Sequence, residues 1–130
     1  MSLTFDFIGI VTRDLTASLA FYRVLGLDIP EDAESAPHVE VVLPSGMKLA
    51  WDTLETIRGF DPEYVEQSGD NRISFAFQAE SPAEVDESYA ALIAAGYESR
   101  REPWDAFWGQ RYATVADPDG NPVDLYAALA

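Results

Sequence analysis

Cysteine is absent from the chain, and histidine occurs once, at position 38. The first absence removes disulfides, thiolate catalysis and cysteine-based zinc sites together. A lone histidine, for its part, is more often a hydrogen-bonded or surface side chain than a ligand. Cations are scarce too: 8 Lys and Arg stand against 23 Asp and Glu, a formal charge of −15. Such a chain repels phosphate backbones and anionic lipid, so neither nucleic acid nor a membrane surface is an expected partner. Nor does any apolar run approach the roughly 20 residues that span a bilayer. Met1 leads directly into a strand-like segment without a basic stretch or a signal-type core, which reads as a cytoplasmic protein.

What is present is an ordinary globular mixture, 48% hydrophobic and 24% charged over 130 residues. A chain of this length buries roughly two thirds of its unfolded surface, so one core is expected. The acidity is read first as solubility, in a salty cytoplasm for example, and second as a field that attracts cationic ligands.

Residues 3–11 alternate and are rich in aromatic and β-branched side chains, which predicts a strand. Asp14 then supplies a helix N-cap, Leu15, Ser18, Leu19 and Tyr22 form a buried face at helical spacing, and Gly26 suits the left-handed position that ends the helix. Strands are predicted at 27–30, 39–43 and 47–52, the last two joined by the Pro44-Ser45-Gly46 turn. A polar, acidic connection follows over 54–69. The pattern then returns: a strand over 72–77, a helix opened by Ser81-Pro82-Ala83-Glu84 and closed by Gly96, and strands at 97–102, 111–116 and 122–127. The second helix face, Val85, Ser88, Tyr89 and Leu92, repeats the first at an offset of 70 residues, and Gly96 repeats Gly26 at the same offset. The chain thus reads as two βαβββ modules, about 1–53 and 70–130.

Three features carry a family resemblance. They are Ile8 to Leu15 running into Ser18-Leu19-Ala20-Phe21-Tyr22-Arg23-Val24-Leu25-Gly26-Leu27, the closing hairpin Asp117-Pro118-Asp119-Gly120-Asn121-Pro122-Val123-Asp124-Leu125, and the duplicated order itself. Together they cover nearly the whole chain, which resembles the vicinal-oxygen-chelate group, the glyoxalase, bleomycin-resistance and extradiol-dioxygenase relatives. The resemblance implies an α+β fold in which two tandem modules form curved mixed sheets around a cleft, with helices on the convex faces, and a homodimer as the usual form. Fold resemblance does not fix chemistry.

In the group's metal enzymes, four His or carboxylate ligands come from the first and last strands of each module. Carried over by position, the first ligand falls on Phe7, which has no lone pair to donate. The second falls on Ala50, with Asp52 on the same strand face. The third falls on Arg72, a cation without an acceptor. Only Asp124 keeps a residue type able to bind a divalent ion. This donor set is too small for a catalytic transition-metal site, so no metal and no other cofactor is expected. By the same resemblance Arg72 and Asp124 meet across the cleft, either as an internal salt bridge or with Arg72 left to bind a ligand.

The aromatic cluster Trp104, Phe107, Trp108 and Tyr112, interrupted by Asp105, is read as lying in and after the loop before the penultimate strand, where it can line a cleft for a stacked or cationic ligand or else seal a core or dimer interface. Trp51 is read as core, facing opposite to Ala50 and Asp52. The preferred function is a metal-free small-molecule-binding protein of the bleomycin-resistance type, sequestering an aromatic or cationic molecule, an antibiotic being one example. Its binding residues would be drawn from Phe7, Asp52, Arg72, Trp104, Phe107, Trp108, Tyr112 and Asp124. The alternatives are a lyase, dioxygenase or epimerase of the same superfamily, and an interaction module with a sealed cleft.

Overall fold

The structure, a computed structural model, describes residues 2–66 and 73–130. The chain divides into two compact units, Met1–Gln67 and Ser68–Ala130.

In the first unit, β1 (Phe7–Thr12) leads to α1 (Leu15–Val24), followed by a 3-10 turn at Ala33–Ser35, β2 (His38–Val42), β3 (Lys48–Thr53) and α2 (Leu54–Phe60). The helix starts where its cap requires: the Asp14 carboxylate accepts from the Ala17 N–H at 3.0 Å. It stops at Gly26, whose φ of +98° only glycine adopts without strain. Leu15, Ser18, Leu19 and Tyr22 are all buried, as their spacing predicts. They pack on one face of a three-stranded sheet of order β1-β3-β2, in which β1 and β3 are parallel and β2 and β3 antiparallel. Trp51 is fully buried on that face, its ring edge-on to Tyr22 at 5.5 Å.

Two expectations for this unit require correction. No strand forms at 27–30. Pro30 lacks an N–H for a ladder, and the carbonyls of Ile29 and Pro30 are taken instead by the Arg23 guanidinium, which also pairs with Glu34 at 2.7 Å. The predicted connection over 54–69 opens with a helix, α2, because Thr53 caps it by accepting from the Thr56 N–H at 3.1 Å.

In the second unit, β4 (Phe75–Gln78), α3 (Pro82–Ala94), β5 (Glu98–Ala106), β6 (Gln110–Ala116) and β7 (Pro122–Ala128) form a four-stranded sheet of order β4-β7-β6-β5, with α3 against β5, β6 and β7. Ser81 caps α3 by accepting from the Glu84 N–H, and Glu84 reaches back to the Glu80 N–H. Val85 and Leu92 are fully buried under it, while Ser88 and Tyr89 are only half-buried. The two hairpin turns close alike: Leu43 N–H to Met47 O at 2.7 Å in the first unit, and Asp117 N–H to Asn121 O at 2.9 Å in the second. The Asp117 carboxylate locks the latter turn by accepting from the N–H groups of Asp119 and Asn121, each at 2.9 Å. The architecture is mixed α+β, with three α-helices and two mixed sheets among the described residues.

A third correction bears on function. The loop is shorter than expected: β5 runs on to Ala106 and takes in Trp104, and the chain reverses through Phe107-Trp108-Gly109. Pro103 is tolerated because β5 is an edge strand whose register shifts on either side of Arg101. No helix among the described residues is long and apolar enough to cross a membrane.

Candidate functional site

In the second sheet, alternation divides the side chains cleanly. Arg111 points towards α3, donating to Asp86 at 2.9 Å and to Asp105 at 3.0 Å. Its neighbour Tyr112 therefore points to the opposite face. Register brings Trp104 and Tyr126 beside Tyr112, and Thr114 beside Asp124, on that same face. The rings form a continuous row. Trp104 meets Trp108 at 5.5 Å and 89°, Trp108 meets Tyr112 at 5.4 Å and 77°, and Tyr112 stacks on Tyr126 at 6.2 Å. These are the edge-to-face and offset arrangements that ring quadrupoles favour. Trp108 is held by its indole N–H donating to Gln110 at 2.7 Å, and Phe107 lies against it at the hairpin tip. Trp108 stays 49% exposed and Phe107 91%. Arg101 lays its guanidinium over Trp104, 4.1 Å from the ring centroid.

Asp124 stands at the inner end of this row. Its Oδ2 accepts from the Tyr112 hydroxyl at 2.6 Å and from Ser74 at 3.4 Å, and its Oδ1 accepts from Thr114 at 2.8 Å. Burial, then the bond to Asp124, pushes the Tyr112 phenol up to about 12, so it remains a donor at neutral pH. Asp105, which the sequence places among the aromatics, faces α3 instead and is paired with Arg111.

In the first sheet, the face away from α1 carries Phe7, Asp52, His38 and Glu40. The Phe7 ring folds over Gly9, leaving 3.3 Å to a Cβ built there. His38 Nδ1 lies 2.6 Å from Asp52 and Nε2 lies 3.2 Å from Glu40. Hydrogen bonds to Asp52 and then Glu40 raise the imidazole above its ordinary value, against a small opposing effect of burial.

Of the residues singled out from sequence, Trp104, Phe107, Trp108, Tyr112 and Asp124 are thus brought together in one unit. Phe7 and Asp52 lie on the other sheet, and Arg72, with its suggested pairing to Asp124, lies outside the described residues. Sequence reasoning missed Tyr126, Thr114, Ser74, Arg101 and the His38–Asp52 pair. A signal existed for most of them: counting outward equally from Asp117 and Asn121 sets Thr114 opposite Asp124 and Tyr112 opposite Tyr126, and counting from Leu43 and Met47 sets His38 opposite Asp52.

The donor set does not fit a metal. Phe7 has no lone pair, Asp52 is engaged by His38, and Asp124 already accepts three hydroxyl protons. Among the described residues, no group of three or more His, Asp or Glu side chains could hold an ion.

Two capped βα units, each closed by an antiparallel hairpin, define an α+β protein built by duplication. Residues 4–125 match the Glyoxalase/Bleomycin resistance protein/Dioxygenase superfamily, and the chain belongs to that family. Among solved structures it is similar to a glyoxalase/bleomycin resistance protein/dioxygenase from Nocardioides, at 28% identity and a TM-score of 0.76, covering 99% of this chain and 85% of that one. A protein from Agrobacterium tumefaciens is similar at 29% identity and a TM-score of 0.74, covering 99% and 100%. A family enzyme from Burkholderia phytofirmans, at 22% identity, shares the fold with a TM-score of 0.83, covering 98% and 100%. No curated protein matches the chain.

Proposed function

We propose that the chain is a metal-free small-molecule-binding protein that sequesters a flat aromatic ligand on the face of its second sheet. The observation that carries this reading is the row Trp104, Trp108, Tyr112 and Tyr126, three of whose members sit on paired strands while Trp108 remains half exposed. Rings held by each other and by Gln110 lose little freedom on binding, so their contact area is available at low entropic cost. The acids near the row favour an aromatic over a purely cationic ligand, since Asp124 is satisfied by hydroxyls and Asp105 is paired on the far face. A bleomycin-resistance-like role, with an antibiotic as ligand, is the family form of this reading.

Isothermal titration with 1-naphthylmethanol tests it. Saturable one-to-one binding is expected, weakened by about tenfold in Trp108→Ala, the loss of one good ring contact. Full affinity in the variant, or a lack of saturable binding by this alcohol and by its carboxylate and ammonium analogues alike, removes the reading.

The alternative of a lyase, dioxygenase or epimerase draws on one observation, the imidazole oriented by Asp52. That dyad resembles an acid–base pair. Glu40 takes the second ring nitrogen, however, so a substrate would have to displace it before any proton moved.

A further inference from the structure

The charge of the ligand is written in the pairing of the basic side chains. Arg13 pairs with Glu66, Arg23 with Glu34, Lys48 with Asp6, Arg100 with Glu98, and Arg111 with Asp86 and Asp105. Arg58 donates to the Tyr64 carbonyl. Among the described residues, Arg101 alone has neither a carboxylate nor a carbonyl partner, and its guanidinium carbon lies over the Trp104 ring. In a chain with 23 acidic residues an arginine that meets none of them is unusual. A guanidinium held over an aromatic ring spends none of its N–H groups on a carboxylate or carbonyl, which leaves them for a forked bond to a carboxylate. Asp124, by contrast, receives its protons from three neutral hydroxyls, so its lone pairs have little left to offer a cation.

We propose that the aromatic row binds a planar aromatic acid, whose carboxylate takes two N–H groups of Arg101 and whose ring packs along Trp104 and Trp108. The inference rests on the small-molecule reading above and adds the sign of the ligand's charge. Its geometry is compact: the guanidinium carbon lies 4.1 Å from the Trp104 centroid, and the Trp104 and Trp108 centroids are 5.5 Å apart.

The test compares 1-naphthoate, 1-naphthylmethanol and 1-naphthylmethylammonium by isothermal titration against the wild-type chain, Arg101→Gln and Arg101→Lys, with thermal melts to show that each variant folds. Naphthoate is expected to bind at least about tenfold more tightly than the ammonium compound. Arg101→Gln should lose about tenfold for naphthoate while leaving the alcohol unchanged, and Arg101→Lys should recover only part, since an ammonium cannot fork. Equal or tighter binding of the ammonium compound, or naphthoate affinity untouched by Arg101→Gln, overturns the charge assignment while the aromatic reading stands. Failure of all three compounds to bind overturns both.

Discussion

At the start of β2 the His38 ring sits between two carboxylates, and that setting makes its charge depend on the fold. Its folded value is raised by Asp52 and Glu40 above the ordinary 6.5. A group raised on folding contributes stability that is fully present below its unfolded value of about 6.5 and fades as pH climbs through the higher folded value. With the His38 side chain 44% exposed, the gain stays in the surface range, under about 1 kcal/mol. His38→Gln should therefore lower the melting temperature at about pH 5.5 and leave it unchanged at about pH 9. An equal loss at both values would mean that the ring acts by packing rather than by charge. Asp124 makes the complementary point. The resemblance marks it as the surviving ligand position, yet its surroundings turn it into an acceptor for Tyr112, Thr114 and Ser74. Residue type was legible there, and role was not, because the hydroxyls arrive from other strands.

The β5–β6 hairpin is the element on which the site depends. Gly109 ends its turn at φ +93°, a conformation that an L side chain reaches only with strain, although a Cβ there would touch nothing. Gly59 lies inside α2, also with open space around it but with no positive φ. One substitution at two places should then have opposite signs. Gly109→Ala is expected to cost about 1 kcal/mol, roughly 4 °C in melting temperature, and to loosen Trp108. Gly59→Ala should stabilise by about 0.5–1 kcal/mol through helix propensity and a less flexible unfolded chain. Thermal melts of both variants check the pair, and the same sign for both would refute the conformational argument. Helix bounds were legible at this scale because caps act within a turn: Asp14 and Ser81 stand where the sequence puts them. The length of β5 was not. Pro103 argues for a strand end at 102, and only pairing across to Tyr112 keeps the segment extended to Ala106.

Over the whole molecule, 23 acids against 8 bases leave a charge of −15 that folding concentrates. Self-repulsion of that kind destabilises compact states and is screened by salt. Exposed ion pairs such as Arg13–Glu66 and Arg100–Glu98, which salt would weaken most, offset little of it. Raising sodium chloride from about 10 mM to about 0.5 M should increase the melting temperature, and potassium chloride should match it. A fall in melting temperature would show that the exposed pairs outweigh the net repulsion.

The sequence by itself determined the duplication, the starts of α1 and α3, the glycine ends of those helices and the two hairpin turns, because each depends on side chains within a few residues of the backbone they satisfy. It also carried the register of β2 with β3 and of β6 with β7, since both turns are symmetric and counting from them sets His38 on Asp52 and Thr114 on Asp124. Tertiary structure decided the rest. Arg23 claimed the carbonyls that a strand at 27–30 would have used, and the two register shifts in β5 placed Arg101 over Trp104, which no count from a turn could reach. Local signals act through bonded neighbours, whereas these outcomes were settled by competition between groups that meet only once the strands have paired.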